Sequence, residues 1–348
     1  MYNLSDATAK GRRYTAGCTK LAVFFLCCLC FFTACPLNAS GAVSGAFPYV
    51  VNGKLYYFTP DSQQEIGEGY SQSAVTASKK AGYVLAWNQK KQRLYHFAGQ
   101  RNASNVELKA SLVYAGAEYI LTQTSSFTEN KGFPFTLYSI KYSMNGKKIK
   151  LRSIWNGYAD CFVSDFFFTG DGICIAGGTR DDTKNNVFYI TEKGIHKCFS
   201  TEKDSDFLRL VKPGDSNNVF AFVSTRDKSE RAPVIYSFDI TEAPEQVVTI
   251  ILSGDSLLPA DFDCFFGYGF VTTTLVLPAS INGTIQFICY DIQKKKISSV
   301  VQDAGGCVAP LASTEDGTYY LARDPLTEGS WSGISLFTGT ECKKIKAF

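Results

Sequence analysis

The chain has 348 residues, of which 45% are hydrophobic and 14% aromatic, so it can bury a large core and is not intrinsically disordered. Its formal net charge is +3, but four basic residues and one acid lie within residues 1–34, and the remainder carries equal numbers of each. A neutral remainder argues against a nucleic-acid-binding domain.

The N-terminus predicts an export signal. Its first part is basic and contains Lys10, Arg12, Arg13 and Lys20. An unbroken apolar run of 14 residues, Leu21–Ala34, follows. A positive segment followed by an apolar run of this length is typical of a signal peptide, and the run is too short to span a bilayer. We therefore predict a signal peptide over residues 1–34.

The end of this leader, Phe32-Thr33-Ala34-Cys35, resembles the lipobox of bacterial lipoproteins. Phe32 stands where many lipoboxes have Leu, and this relaxed form is similar to that of spirochaetes. The resemblance implies that Cys35 becomes the mature N-terminus and carries a diacylglyceryl group with acyl chains such as palmitate. Two or more acyl chains hold a protein stably at a membrane. Cleavage near Ala39, which would give a secreted protein, is the alternative.

The same resemblance implies a location. The chain would be anchored through Cys35 to the inner or outer membrane of a bacterial envelope, with its domain in the periplasm or exposed outside. Residues 35–46 are small and polar after the cysteine, so we predict a lipidated N-terminus and a short tether there.

Residues 47–348 predict an all-β repeat. A strand with a similar apolar sequence recurs at intervals of 39, 43, 51, 47, 52 and 47 residues. Its copies lie around Tyr56, Tyr95, Tyr138, Tyr189, Tyr236, Ile288 and Ser335. A second element, residues 171–181, matches residues 217–227 at nearly the same spacing. A period of about 40–50 residues is typical of a β-propeller. We predict about seven four-stranded blades, with six or eight left open.

The order of strands within a blade predicts two different faces. We name the strands a to d from the axis outward, so that successive connections alternate between the faces. The face that carries the connections between strands b and c is called the b–c face. Its longest loops are predicted over residues 125–134, 179–186, 225–233, 278–283 and 324–333. The first blade either has a short first strand or shares strands with the chain's end, where residues 341–348 predict an outermost strand.

Two turns carry a family resemblance. Thr169-Gly170-Asp171-Gly172, followed by an apolar strand and then by Val187-Phe188-Tyr189-Ile190, resembles the repeat of TolB-like propellers. Thr314-Glu315-Asp316-Gly317 repeats the pattern. The period is also that of WD40-like propellers, although the Trp-Asp dipeptide of that class does not occur. This resemblance implies an architecture and no particular activity.

No catalytic constellation is evident. The two histidines, His96 and His196, lack neighbours typical of a triad or a zinc site, and we interpret them as packing or surface residues. We therefore predict no catalytic residue, no metal and no cofactor, although enzymatic activity stays open. The seven cysteines after the leader lie mostly in apolar runs and are interpreted as buried thiols, with one or two disulfides possible.

Charged residues recur after strand b in three blades. They are Arg180, Asp181 and Asp182, then Arg226 and Asp227, then Arg323 and Asp324. They form either salt bridges within each loop or a charged rim that receives a partner. The leading hypothesis is a membrane-tethered, non-enzymatic binding or scaffold lipoprotein that presents this rim to a protein or glycan. The alternatives are a propeller-type polysaccharide hydrolase or lyase, with acids such as Asp181 or Asp182 at the disc mouth, and a passive surface antigen.

Overall fold

The computed structural model describes most of the chain after residue 45. The described ranges are 46–180, 184–201, 205–211, 218–225, 234–241, 248–251, 262–265, 269–271, 274–281, 284–291, 293–294, 296–301, 306–314, 317–323 and 331–348. No helix occurs among these residues. The signal peptide, Cys35 and the tether before residue 46 lie outside the described residues.

The described residues contain 28 strands in seven antiparallel sheets, numbered in chain order. Sheet 1 contains β1 (Phe47–Val51), β2 (Lys54–Thr59) and β3 (Ser62–Glu68). Sheet 2 contains β4 (Tyr70–Ala77), β5 (Tyr83–Asn88), β6 (Arg93–Ala98) and β7 (Arg101–Glu107). Sheet 3 contains β8 (Leu112–Ala115), β9 (Tyr119–Gln123), β10 (Phe133–Tyr142) and β11 (Ile149–Ala159). Sheet 4 contains β12 (Phe162–Phe168), β13 (Gly172–Gly178), β14 (Asn185–Thr191) and β15 (Gly194–Ser200).

The remaining three sheets follow the same plan. Sheet 5 contains β16 (Ser205–Val211), β17 (Asn218–Thr225), β18 (Val234–Asp239) and β19 (Val248–Ile251). Sheet 6 contains β20 (Phe262–Phe265), β21 (Gly269–Val271), β22 (Thr274–Ile281), β23 (Thr284–Asp291) and β24 (Lys296–Val301). Sheet 7 contains β25 (Cys307–Thr314), β26 (Gly317–Arg323), β27 (Trp331–Phe337) and β28 (Cys342–Ala347).

The strand order confirms the predicted β-propeller. Six of the seven sheets hold a four-strand meander, and in sheet 6 the innermost strand is split into β20 and β21, which both pair with β22. Sheet 1 has three strands among the described residues. The recurring strand of the sequence is the third strand in each of the six complete sheets and the second in sheet 1, so the repeat was assigned to the correct position.

The core lies between consecutive sheets. Strand β13 illustrates the cause, because six of its seven residues are buried and both of its faces are apolar. Between sheets 2 and 3, Leu94 packs in one cluster with Val113 and Ile140. Equivalent clusters join sheets 1 and 2, sheets 4 and 5, and sheets 6 and 7. Consecutive sheets are therefore joined by apolar packing in these parts of the described chain, as the apolar repeat predicted.

The two ends of the propeller meet at a seam between sheets 7 and 1. Phe47 of β1 lies with its ring centroid 5.2 Å from that of Tyr319 in β26. The ring of Phe348 stacks on Tyr49 at 6.4 Å. Strand β28 pairs with β27 as the outermost strand of its own sheet, as predicted. Closure in the described residues therefore rests on side-chain packing between two sheets and not on a shared strand.

The turns follow local chemistry, and one loop prediction is wrong. Asn52 and Gly53 have φ of 51° and 76°, the conformation of a type I′ hairpin turn. A long b–c loop is confirmed over residues 124–132, and the corresponding connection of sheet 4 lies between Gly178 and Asn185, where residues 179, 180 and 184 are described. The predicted long loop over residues 278–283 is not formed, because β22 continues to Ile281 and pairs it with Thr284. The remaining two long loops lie outside the described residues.

The thiols are mostly buried, as expected. Cys161, Cys174, Cys198, Cys289 and Cys307 are at most 2% exposed. Burial raises the pKa of Cys198 to about 12, which keeps it protonated and unreactive at neutral pH. Such thiols act as small apolar core residues.

Candidate functional site

The structure describes only part of the predicted charged rim. Arg180 is described, and it is exposed at the end of the sheet 4 b strand, on the b–c face. Arg323 ends β26 opposite Trp331, but its side chain is not described. Asp181, Asp182, Arg226, Asp227 and Asp324 lie outside the described residues. The charged rim as a whole therefore stays a prediction.

The b–c loop of sheet 3 is a compact turn held against its own sheet. Thr128 and Gly132 exchange two backbone hydrogen bonds of 2.9 Å. Asn130 and Gly132 have φ of 62° and 97°, the left-handed region that Asn and Gly tolerate best. A Cβ at Gly132 would lie 2.3 Å from the carbonyl oxygen of Ala159, so the loop touches the end of β11. The side chains of this loop are therefore placed by a defined backbone.

Two cations on the b–c face lie over aromatic rings. The guanidinium carbon of Arg180 lies 4.5 Å from the centre of the Phe127 ring. That ring contacts Phe133 edge to face, with centroids 5.2 Å apart. The ammonium of Lys131 lies 5.5 Å from the ring centre of Tyr158, which is 44% exposed. We name Phe127, Lys131, Tyr158, Asp160 and Arg180 the sheet 3–4 rim.

Asp160 links the two sheets beneath this rim. Its carboxylate Oδ1 accepts a hydrogen bond of 3.2 Å from the backbone N–H of Arg180. Its carbonyl oxygen accepts a second one, of 3.3 Å, from the side-chain amide of Asn186. Arg180, from sheet 4, is thereby fixed over a ring that belongs to sheet 3. The rim is a single surface across the boundary of the two sheets.

The electrostatics of this rim suit an anionic ligand. A cation over an exposed ring gains only about 0.5–1 kcal/mol, which orients the side chain without neutralising its charge. No salt bridge to Arg180 or Lys131 is found within the described part of the chain. Both charges are thus held over aromatic rings on this face.

The histidines are structural, and sequence reasoning missed their partners. His96 is completely buried, and its Nδ1 lies 3.1 Å from the carbonyl oxygen of Lys147 in sheet 3. A carbonyl only accepts, so Nδ1 carries the proton and Nε2 accepts from the Ser78 hydroxyl at 2.8 Å. His196, which is exposed, contacts the carbonyl oxygen of Ile240 in sheet 5 at 2.6 Å. Each histidine therefore joins its sheet to the next one.

The Ser78–His96 pair has the geometry of an activated serine but not its access. A nucleophilic serine needs a hydroxyl that donates to a histidine fixed by a third group. Here Ser78 is 8% exposed and His96 is 0% exposed, so a substrate cannot reach the hydroxyl. Burial lowers the pKa of His96, since the imidazolium would lose its hydration. Within sheet 2, His96 accepts the hydrogen bond from Ser78, and it links this sheet to sheet 3 through the carbonyl of Lys147.

Neither a metal site nor a membrane-spanning helix occurs in the described ranges. No group of three His, Cys, Asp or Glu side chains there could hold a metal ion. None of the described segments is a helix long and apolar enough to cross a bilayer.

Comparison with known proteins supports the fold. No family model matches the sequence, and no curated protein is detectably similar to it. A crystal structure of a functionally unknown protein from Desulfotomaculum acetoxidans is 15% identical, with a TM-score of 0.55, and the match covers 86% of this chain and 94% of that one. The β-propeller domain of Cps50 (Swd1) from Myceliophteria thermophila is 10% identical, with a TM-score of 0.50, over 86% and 98% of the two chains.

A peptidase structure shares the same fold over part of its length. The Pyrococcus horikoshii acylaminoacyl peptidase is 12% identical, with a TM-score of 0.52, and the match covers 86% of this chain but 52% of the peptidase. Identities this low show the fold alone. The fold and the strand order thus define this chain as a β-propeller protein.

Proposed function

We propose that the chain is a lipid-anchored, non-enzymatic binding protein of a bacterial envelope, and that its propeller presents the b–c face to a protein or glycan partner. The observation that carries the binding part is the sheet 3–4 rim, where two exposed cations are held over aromatic rings on that face. The leader and the lipobox of the sequence support the anchor at Cys35.

Arg180 and Lys131 differ from several other cations of the described residues, which have partners within the protein. Opposite the b–c face, the turns are occupied by contacts between sheets. Lys79 pairs with Glu118, and Lys80 donates a 2.6 Å hydrogen bond to the carbonyl oxygen of Asn145. On the b–c face, Lys54 and Lys109 likewise pair with acids, whereas Arg180 and Lys131 have no salt bridge to a described residue.

Partner binding is tested with the detergent-solubilised full chain. The triple variant Arg180→Ala, Arg226→Ala, Arg323→Ala is immobilised beside the wild type and incubated with solubilised envelope proteins and cell-wall glycan. We expect the variant to retain clearly less of the specific ligand. A matched variant, Lys148→Ala, Lys193→Ala, Lys294→Ala, removes three charges from the other face and should retain it. Equal capture by both triple variants would show that the rim is not the binding site.

The anchor is tested separately. Cys35→Ser should move the protein from the membrane fraction to the soluble fraction and abolish incorporation of labelled palmitate. Cys30→Ser, a cysteine within the predicted leader, is the matched control and should change neither result. Labelling that persists in Cys35→Ser would contradict the lipobox assignment.

A further inference from the structure

Strand β11 carries an aromatic surface that the sequence did not reveal. A Cβ on Gly157 would lie 2.2 Å from Cζ2 of Trp155, so the indole occupies the space over that glycine where a side chain would otherwise stand. Trp155 is partly exposed, although β11 is the outermost strand of sheet 3. The glycine leaves room for the indole beside the strand, and the part of the ring that is exposed offers an aromatic surface to a ligand.

The indole lies on the side of sheet 3 that points to sheet 4. Trp155 is the cross-strand partner of Leu137, and directly opposed side chains share one face of a sheet. Phe133, four residues before Leu137, lies on that face as well. Its ring contacts Phe162 of sheet 4 at 4.6 Å. The Trp155 surface and Arg180 therefore belong to the same boundary between sheets.

The length of the boundary between sheets 3 and 4 is large enough for a ligand made of several linked sugar-sized rings. From Trp155 to Asp160 the backbone is extended over five residues, which corresponds to about 16 Å. The Asp160 carboxylate holds the backbone of Arg180. The indole of Trp155 thus lies toward one end of the boundary, and the guanidinium of Arg180, held over Phe127, lies toward the other.

The chemistry favours a sparsely charged ligand. An aromatic face attracts the C–H groups of a sugar ring through its negative quadrupole, and a guanidinium binds a carboxylate through two hydrogen bonds. A nucleic acid would need many phosphate contacts. The boundary instead offers the cations Arg180 and Lys131 beside the acid Asp160. We infer that it binds an acidic oligosaccharide, with Trp155 stacked on a sugar ring and Arg180 on a carboxylate, an inference that rests on the proposed binding function.

The test uses the full chain in detergent with two probes of the same backbone, oligogalacturonate and its methyl-esterified, uncharged form. Binding is followed by tryptophan fluorescence and calorimetry. Trp155→Ala should weaken both probes about tenfold, whereas Arg180→Ala should weaken only the charged probe by that factor. Gly157→Val keeps the tryptophan but fills the space that its indole occupies, so its affinity for both probes should fall as in Trp155→Ala. Lys193→Ala, on the other face, is the control.

Several outcomes would overturn the inference. One is unchanged affinity in Trp155→Ala, or in Gly157→Val with an unchanged urea midpoint. Another is tighter, Trp155-dependent binding of single-stranded DNA or of an acidic peptide, which would replace the ligand class. If the wild type binds neither saccharide while arginine-dependent capture on the b–c face persists, this inference fails and the proposed function stands. Should Gly157→Val unfold, Trp155→Phe decides, because it keeps a smaller ring and should bind more tightly than Trp155→Ala, and equal affinities in these two variants would refute the stacking.

Discussion

Replacing His96 with leucine tests the hydrogen bonds by which His96 links sheets 2 and 3. Leucine fills the buried site but removes the hydrogen bonds to Ser78 and Lys147. The Lys147 carbonyl keeps a second donor, the Ser104 hydroxyl at 3.2 Å, and the Ser78 hydroxyl keeps a longer contact of 3.4 Å to the Tyr142 hydroxyl. The net loss of one good hydrogen bond costs about 0.5–1.5 kcal/mol. We expect His96→Leu to lower the free energy of unfolding by this amount at pH 7.5.

The same substitution should change the pH dependence of stability. The pKa of His96 is lowered in the folded protein, so the unfolded chain takes up the proton first as the pH falls below about 6.5. The stabilisation is complete above that pH and is lost progressively below it, toward the lowered pKa of the folded state. If the folded state stays neutral, the loss between pH 7.5 and pH 5.5 is about 1.4 kcal/mol.

Urea unfolding at pH 7.5 and pH 5.5 measures both effects. The wild type should lose stability at the lower pH, and His96→Leu should lose less by up to about 1.4 kcal/mol. His196→Leu is the matched control for the loss of a histidine, because His196 is exposed, and it should leave the free energy of unfolding at pH 7.5 within about 0.5 kcal/mol of the wild type. An identical pH response in the wild type and His96→Leu would refute the assignment of a buried neutral imidazole.

Three further substitutions test contacts within the propeller. Asp165→Ala removes a buried carboxylate whose Oδ2 accepts a 2.8 Å hydrogen bond from the Leu210 backbone N–H, and should cost about 2–4 kcal/mol in urea unfolding, with Asp165→Asn less harmful. Tyr189→Phe removes the hydroxyl that donates to Asp171 in the neighbouring turn and should cost about 1–2 kcal/mol, measured as a lower thermal midpoint. A Cβ on Gly177 would lie 1.8 Å from a carbonyl oxygen of the adjacent strand, so Gly177→Ala should lower the yield of folded protein in circular dichroism. Wild-type stability in any of the three would contradict the contact concerned.

The repeat of the sequence was sufficient for the architecture because each blade buries both faces. The same apolar strand must then recur at the same depth in every sheet, and the copies around Tyr95, Tyr138 and Tyr189 all form third strands. The error at residues 278–283 has a local cause. Asn282-Gly283 is itself a hairpin signal, and its turn chemistry should have outweighed the analogy with longer loops in other blades.

The site could be anticipated only in part. Arg180 was selected from a recurring Arg-Asp pattern, but its position over Phe127 depends on how two loops of different sheets meet. The Ser78–His96–Lys147 contacts join residues 18 and 51 positions apart, and no local pattern encodes them. The position of Trp155 has one signal in the sequence, the glycine two residues later. This glycine becomes informative only when the strand is known to lie at a sheet edge.

The seam between sheets 7 and 1 has a mechanical consequence. The described chain enters the propeller at β1, so tension applied through the preceding residues is borne first by that five-residue strand. Resistance comes from its ladder with β2, loaded in shear, and from the rings of Phe47 and Tyr49 against the last sheet. Since forced unfolding is governed by the weakest element in the load path, this first strand is where the ring should open under a pull.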